Sequence, residues 1–430
     1  MSSADADALY RRQIAYLFER SQFYRERLAE AGFGSPENVG GLADIGRLPF
    51  TEKNDLRATV DADHPIGTHL AAKMDDVVRI YSTSGTTGSP FYIPLTARDL
   101  EDWIAVSMRS YAASGITADD RIVSTYNAGP FVAGATIDAF SRAGLTQIPV
   151  GAGNTERLMA AVQKLGPTAM ALTPSYALHL AEWAEKRDID LAGSTVKRLL
   201  VAGEPGGSEP TLRARLESAW GATVTEAMGI GDISISLWGE CEHKDAMHFA
   251  GDGYVHIELI DPVSGEVIPM EDGAEGEMVY THLRREASPL LRFRSRDHVV
   301  VKTGTCACGR TGPRIRCIGR TDDMLIVRGV NLFPTALREV VARFAPEVSG
   351  VISIRPSAKG VKQSPPLPVQ VELAEGVEPD EGLAEAITKA IRDTLIVSTR
   401  VGLVAWGSLP RTDYKSKLVD WSDASSQGGD

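Results

Sequence analysis

The stretch Tyr81-Ser82-Thr83-Ser84-Gly85-Thr86-Thr87-Gly88-Ser89-Pro90 has the residue types of an anion cradle. Gly85 and Gly88 let the backbone turn tightly and approach a ligand, and successive N–H groups in such a turn form a nest for an anion. The hydroxyls of Ser82, Ser84, Thr86 and Thr87 add side-chain donors suited to phosphate oxygens. The segment lacks the Gly-Lys-Ser/Thr ending of a Walker A loop, which sets aside a P-loop NTPase. The competing reading is a plain Ser/Gly linker.

Thiols and imidazoles form a second constellation. Cys306-Ala307-Cys308 is a C-x-C knuckle, and Cys241, His243 and His248 precede it. Three cysteines and one histidine would close a structural, tetrahedral zinc site, with either histidine as fourth ligand. The alternative is buried free thiols with exposed histidines. Cys317 lies in an apolar pattern and reads as core.

These groups need elements to hold them. The first forty residues read as helix, with Leu9, Tyr10, Ile14, Leu17 and Phe18 at helical spacing. Val77 to Tyr81 reads as a strand that delivers the Ser/Gly/Thr loop. Arg121 to Ser124, Ala169 to Thr173 and Leu199 to Val201 read as further strands, and Thr155 to Leu165 as a helix stopped by Gly166-Pro167. Strands alternating with helices predict a parallel α/β sheet. From about 253 to 300 short strands follow closely, which predicts an antiparallel or small β-barrel-like subdomain. After Gly319-Arg320-Thr321-Asp322-Asp323 a small α+β unit begins. The expected fold class is therefore α/β: a large N-terminal domain over 1–320, with a β-barrel-like part, and a small α+β C-terminal domain over 321–430.

Composition narrows the partners. Of 430 residues, 43% are hydrophobic and 24% charged, enough for a sizeable core and wrong for a disordered chain. The formal net charge of −12 argues against nucleic acid as partner while leaving room for a local nucleotide pocket. No apolar run reaches the roughly 18 residues of a membrane helix, and the N-terminus shows no signal pattern. With only four cysteines, a cytoplasmic setting and no membrane partner are the expectation. The oligomeric state is left open, a homodimer being one option.

Ser82 to Gly88 resembles the phosphate-binding motif of the acyl-adenylate-forming superfamily. Leu48-Pro49-Phe50-Thr51-Glu52-Lys53-Asn54-Asp55-Leu56-Arg57 is similar to the lead-in of phenylacetate–CoA ligase-type enzymes. So are Gly153-Asn154-Thr155-Glu156, Thr173-Pro174-Ser175-Tyr176, Ala202-Gly203-Glu204-Pro205, Leu291 to Asp297 and Gly319 to Gly329. They occur in the family's order over nearly the whole chain.

The resemblance implies ATP-dependent conversion of an aromatic acid to an aryl-AMP, followed by transfer to coenzyme A. It implies Mg²⁺ as cofactor, and a second half-reaction reached by rotation of a mobile C-terminal domain about Asp322. Ser84, Gly85, Thr86, Thr87 and Gly88 would hold phosphates, Thr86 and Thr87 also aiding Mg²⁺. Met228-Gly229-Ile230-Gly231-Asp232 stands where the family has aromatic-Gly-x-x-Glu, so Asp232 would be the Mg²⁺ ligand, one methylene shorter, with Glu226 as alternative. Gly203, Glu204 and Pro205 would border the adenine, Asp297 the ribose diol, and Arg320 phosphate or ribose. Arg292, Arg294 and Arg296 are expected to keep Asp297 ionised. Lys415 would bridge the substrate carboxylate and α-phosphate, although Tyr414 replaces the usual Gly and Lys417 is the fallback. Tyr126, Asn127, Ala128, Gly129, Pro130 and Phe131, with Ala202, Met228, Gly229 and Ile230, would line the acid pocket. The resemblance favours Cys241, His248, Cys306 and Cys308 as the zinc ligands. Alternatives are a carrier-protein thiol or an amine as acceptor, and a non-catalytic nucleotide-binding or zinc scaffold.

Overall fold

The computed structural model describes residues 2–83, 91–126, 132–151, 153–328, 330–410 and 417–424, with Asn331 by its backbone alone. Four helices open the chain: Ser3–Arg20 (α1), Gln22–Glu30 (α2), Pro36–Val39 (α3) and Lys53–Arg57 (α4). Ser2 caps α1 by accepting the Asp5 N–H, and α1 buries Tyr10, Ile14 and Leu17 on the stripe the spacing predicts.

The strands Val77–Thr83 (β1) and Phe91–Thr96 (β2) then pair antiparallel as a sheet of their own. The strand that launches the 84–90 segment thus lies outside the main sheet, against the simple alternating α/β expectation. Its partner is the strand that receives the same segment, so a local hairpin wins over a longer-range pairing.

The main sheet and its helices follow in order: Ala97–Ala113 (α5), Arg121–Ser124 (β3), Ala135–Arg142 (α6), Thr146–Pro149 (β4), Thr155–Leu165 (α7), Ala169–Leu172 (β5), Pro174–Glu185 (α8), Arg198–Ala202 (β6), Pro210–Trp220 (α9) and Thr223–Ile230 (β7). Local signals set these boundaries. Thr96 caps α5, Asn154 caps α7, Thr173 with Pro174 starts α8, and Gly166 and Gly221 close α7 and α9 in left-handed geometry.

Seven more strands complete the sheet: Ser234–Glu240 (β8), Met247–Phe249 (β9), Val255–Ile260 (β10), Val267–Ile268 (β11), Glu275–His282 (β12), Phe293–Lys302 (β13) and Arg314–Arg320 (β14). One sheet of 12 strands runs in the order β11-β10-β12-β13-β14-β9-β8-β7-β6-β5-β3-β4. Its β4-β3-β5-β6-β7 half is parallel and the rest antiparallel. The expected antiparallel strands are present. They extend the same sheet rather than closing into a separate barrel, because β8 and β9 bridge β7 to β14.

Leu172, Val201, Leu216, Trp220 and Val224 pack the parallel half, and each large apolar side chain buried there contributes about 1.5–3 kcal/mol relative to exposure. The antiparallel half packs Leu259, Met278, Tyr280, Val299 and Ile315 in the same cluster as Tyr10 and Ile14 of α1. The C-terminal part has its own core of Leu325, Val340, Ile354, Val369, Ile387 and Ile391. It comprises Leu325–Val327 (β15), Val330–Leu332 (β16), Pro334–Ala342 (α10), Val348–Ile354 (β17), Lys362–Gln363 (β18), Leu367–Leu373 (β19), Glu381–Leu395 (α11) and Thr399–Val404 (β20), in two three-stranded sheets. Among the described residues no helix is long and apolar enough to cross a membrane.

Candidate active site

The C-terminal ends of parallel strands gather ligands in α/β sheets, and here they gather the expected residues. The Tyr126 hydroxyl donates to the carbonyls of Leu172 (3.1 Å) and Ala202 (3.2 Å), tying the ends of β5 and β6 together. The Tyr126 hydroxyl is thus committed to backbone. Gly203 turns at φ +97° after β6, and a Cβ there would sit 3.5 Å from the Thr173 methyl. The Glu204 carboxylate accepts the Ser175 N–H at 2.8 Å, which pins this loop to the first turn of α8.

At the end of β7, Met228 and Ile230 flank Gly229. A Cβ on Gly229 would fall 1.8 Å from the Ile235 carbonyl oxygen, so only glycine fits. A Cβ on Gly231 would lie 3.1 Å from Val132 and 3.6 Å from the Thr83 methyl. This turn thus meets both the last described residue before segment 84–90 and a residue just after segment 127–131. Ser84, Gly85, Thr86, Thr87 and Gly88, Asn127 to Phe131, and Lys415 lie outside the described residues.

Asp232 follows directly. Its Oδ2 pairs with the Lys53 Nζ at 2.9 Å, with both side chains largely buried. Oδ1 of Asp232 and Oγ1 of Thr83 are buried without a protein partner among the described residues. Lys53 also stands 5.3 Å from the centre of the Phe91 ring, and His69 stacks on that ring. Burial pushes His69 down to about 4, opposed by Asp232, so this imidazole is neutral at pH 7. Lys53 thus meets the expected site residue Asp232, and sequence reasoning left this lysine without a role. Its signal was there, a lysine inside a resembling motif, but nothing local tied it to Asp232.

Glu226 does not join this group. It accepts the Gly207 N–H at 3.1 Å and lies near Glu240 and Arg213. Burial pushes Glu226 up to about 7, and the Glu240 charge adds to the effect.

Asp297 and Arg320 face each other across β13 and β14, with Nη1 of Arg320 3.3 Å from Oδ1 of Asp297. Arg320 also forks onto Asp322, with contacts of 2.9 and 2.8 Å. The expectation that Arg292, Arg294 and Arg296 keep Asp297 ionised is corrected. Arg292 pairs with Glu258, Arg294 with Glu277, and Arg296 with Glu52 and Glu277. Burial raises the Asp297 carboxyl above the ordinary carboxylate range, and Arg320 opposes the rise only in part.

The thiol and imidazole groups converge. Ligand atoms of Cys241, His248, Cys306 and Cys308 all lie within 4.8 Å of one another. Cys241 and Cys306 sulfurs are 3.7 Å apart, and the Cys308 sulfur is 3.5 Å from His248 Nε2. Zn–S of about 2.3 Å and Zn–N of about 2.0–2.1 Å give tetrahedral edges of about 3.8 and 3.6 Å, which these separations match. His243 is instead half-exposed beside Glu242. The cluster joins the β8–β9 turn to the loop between β13 and β14.

Residues 20–282 match the family described as AMP-binding enzyme, and residues 329–420 match the AMP-binding enzyme C-terminal domain. The chain belongs to the AMP-binding enzyme family. It is 35% identical to the phenylacetate–coenzyme A ligase of Thermus thermophilus, over 94% of this chain and 92% of that one. It is also 35% identical to the phenylacetate–coenzyme A ligase of Pseudomonas putida, over 97% and 94%. Among solved structures, 2-hydroxyisobutyryl-CoA ligase in its postadenylation state with an acyl-AMP superposes with a TM-score of 0.89, at 27% identity, over 98% of this chain and 90% of that one. The same ligase with acyl-AMP and CoA in its thioesterification state gives 0.70, at 28% identity and the same coverage. At equal coverage of that relative, the chain superposes better on its postadenylation form than on its thioesterification form. This family member is an AMP-forming acid–thiol ligase, an enzyme rather than a binding scaffold.

Proposed function

We propose that the protein activates an aromatic carboxylic acid with ATP and passes the acyl group to coenzyme A. In the first half-reaction a carboxylate oxygen attacks the α-phosphorus, a new P–O bond forms, and pyrophosphate leaves. In the second, the CoA sulfur attacks the acyl carbon, the thiol proton is lost, and AMP leaves. The observation that carries this reading is the meeting of Lys53, Asp232, Thr83 and the Met228–Ile230 strand end in one place. A cation, a carboxylate and the launch point of the hydroxyl-rich segment stand beside an apolar wall. Two anions must approach each other for adenylation, and Lys53 supplies fixed positive charge at that position. Mg²⁺, when bound, would neutralise phosphate charge, with Asp232 as its ligand on this chain.

The remaining roles follow on the same reading. Asp297 accepts the ribose hydroxyls, Arg320 holds Asp297 and contacts ribose or phosphate, and Ala202 to Pro205 borders the adenine. Ser84, Gly85, Thr86, Thr87 and Gly88 hold the phosphates, and Lys415 bridges carboxylate and α-phosphate. Tyr126 to Phe131 with Ala202, Met228, Gly229 and Ile230 surround the acid. The lobes divide at 320/321, and Asp322 is the hinge. Cys241, His248, Cys306 and Cys308 hold a structural zinc, since four protein ligands leave no open position for substrate.

The aromatic preference rests on the apolar wall and on the full-length likeness to phenylacetate–coenzyme A ligases. The likeness to 2-hydroxyisobutyryl-CoA ligase favours a second reading, a small branched hydroxy acid. Pyrophosphate release across phenylacetate, substituted benzoates and 2-hydroxyisobutyrate separates them. The proposal expects kcat/KM at least about tenfold higher for an aryl acid, the ~1.4 kcal/mol that added apolar contact supplies. Better turnover of the hydroxy acid would overturn the aromatic part and leave acid activation standing.

A further inference from the structure

We propose that Arg338 is a latch that holds the small lobe in the arrangement for adenylation and must release before CoA can react. The inference rests on the two-step reading above. Arg338 projects from α10 into the large lobe and is largely buried. Its Nη2 donates to the Pro205 carbonyl at 2.7 Å and to the Glu209 carboxylate at 2.7 Å. Both side chains of that ion pair are 11% exposed. Pro205 belongs to the Ala202–Pro205 loop at the proposed adenine site, and a Cβ on Gly206 would come within 3.1 Å of Nη2. The arginine therefore reads the position of the nucleotide loop directly.

Other contacts between the lobes differ in kind. Lys186 and Glu375 pair at 2.6 Å, but both are about half exposed, and such pairs contribute about 0–1 kcal/mol. Thr335 donates to the Ile318 carbonyl at 2.6 Å, and Phe333 packs on Gly319 and His298, all close to the Asp322 hinge. Arg215 donates to the Ser349 carbonyl at 3.2 Å as a single bond. Among the described residues, Arg338 alone joins a buried charge pair to a backbone bond away from the hinge. Removing either partner leaves a buried charge unpaired, so this contact biases the equilibrium between lobe arrangements most.

The test measures the two half-reactions separately, with hydrogen exchange as a readout independent of activity. For Arg338→Ala, pyrophosphate release without CoA should slow about tenfold, the size of a typical coupling between states. Conversion of preformed acyl-AMP by CoA should stay within about twofold or rise. Glu209→Gln should shift the same ratio in the same direction. The double charge exchange Arg338→Glu with Glu209→Arg should recover adenylation to within about threefold. Amide exchange should rise on both faces, at 206–213 and at 338–350. Unchanged exchange in both segments overturns the latch whatever the activity. An equal fall in both half-reactions with a lower melting temperature also overturns it, because it marks a mere structural staple. Wild-type protein that forms no acyl-AMP from any acid would sink the functional reading, whereas an active wild type with an unchanged ratio in Arg338→Ala sinks the latch alone.

Discussion

Lys53 and Asp232 are 179 positions apart in the chain and 2.9 Å apart in the fold. Lys53 comes from the short helix α4 and Asp232 from the turn after β7, and the ring of Phe91, at the start of β2, lies beside the lysine. Asp232→Asn keeps the shape and removes the charge. We expect pyrophosphate release to fall about a hundredfold, comparable to losing one preorganised electrostatic group. Lys53→Ala should fall similarly, and circular dichroism should show both variants folded. Full activity in Asp232→Asn would remove this residue from the site.

Asp297 should govern the affinity for ATP. On the proposed role, replacing it with Asn would remove charge-assisted hydrogen bonds to the ribose diol, worth about 1.5–3 kcal/mol, or about ten- to a hundredfold in the KM for ATP. Its folded-state carboxyl lies above the ordinary range because of burial. As pH falls, Asp297 is therefore protonated sooner than an exposed acid. The KM for ATP should rise on the acid side in the wild type, and this limb should vanish in Asp297→Asn. A KM profile from pH 5 to 8 decides the point.

The cysteine cluster predicts a metal. Gently purified protein should carry about one zinc per chain by elemental analysis, and Cys306→Ser less than about half of that. Because the site staples the β8–β9 turn to the β13–β14 loop, the variant's melting temperature should fall by at least about 3–5 °C. A wild-type chain free of zinc, with unchanged melting in the variant, would reduce the cluster to packed thiols.

Glu226 predicts a slope of stability with pH. Its folded value of about 7 lies above the ordinary 4.5, first because of burial and then because of Glu240. Between those values the folded chain holds a proton that the unfolded chain has lost. Stability should therefore be fullest below about 4.5 and decline as pH rises through 7, as far as this group is concerned. Glu226→Gln keeps an acceptor for the Gly207 N–H and cannot ionise. Its advantage over wild type in urea unfolding should grow from pH 5 to 7 and then level. A constant difference across that range would contradict the assignment.

The legible parts of this protein are those written in rare residue types or short periodicities. Cys241, His248, Cys306 and Cys308 stood out because thiols are scarce here, and the fold brings all four together. The α1 stripe and the α7 stop at Gly166 follow from local rules. Pairing across the chain was not legible. Closely spaced strands after residue 253 announced antiparallel structure, but nothing local told that β8 and β9 join them to the parallel sheet. Arg292, Arg294 and Arg296 are neighbours of Asp297 in sequence, yet Arg292 reaches Glu258 while Arg294 and Arg296 share Glu52 and Glu277, and the residue that meets Asp297 comes from the adjacent strand. The Lys53–Asp232 pair and the Arg338–Glu209 pair depend on tertiary closure in the same way. Thr87 and Lys415 lie outside the described residues, so their roles rest on the family resemblance.

The most direct measurement follows CoA, AMP and pyrophosphate together with the best aryl acid. Pyrophosphate should appear with acid and ATP alone, up to about one equivalent per enzyme. Adding CoA should then release AMP and form aryl-CoA in equal amounts, turnover after turnover. Pyrophosphate release that CoA leaves unchanged, with no thioester formed, would contradict acyl transfer to CoA by this protein.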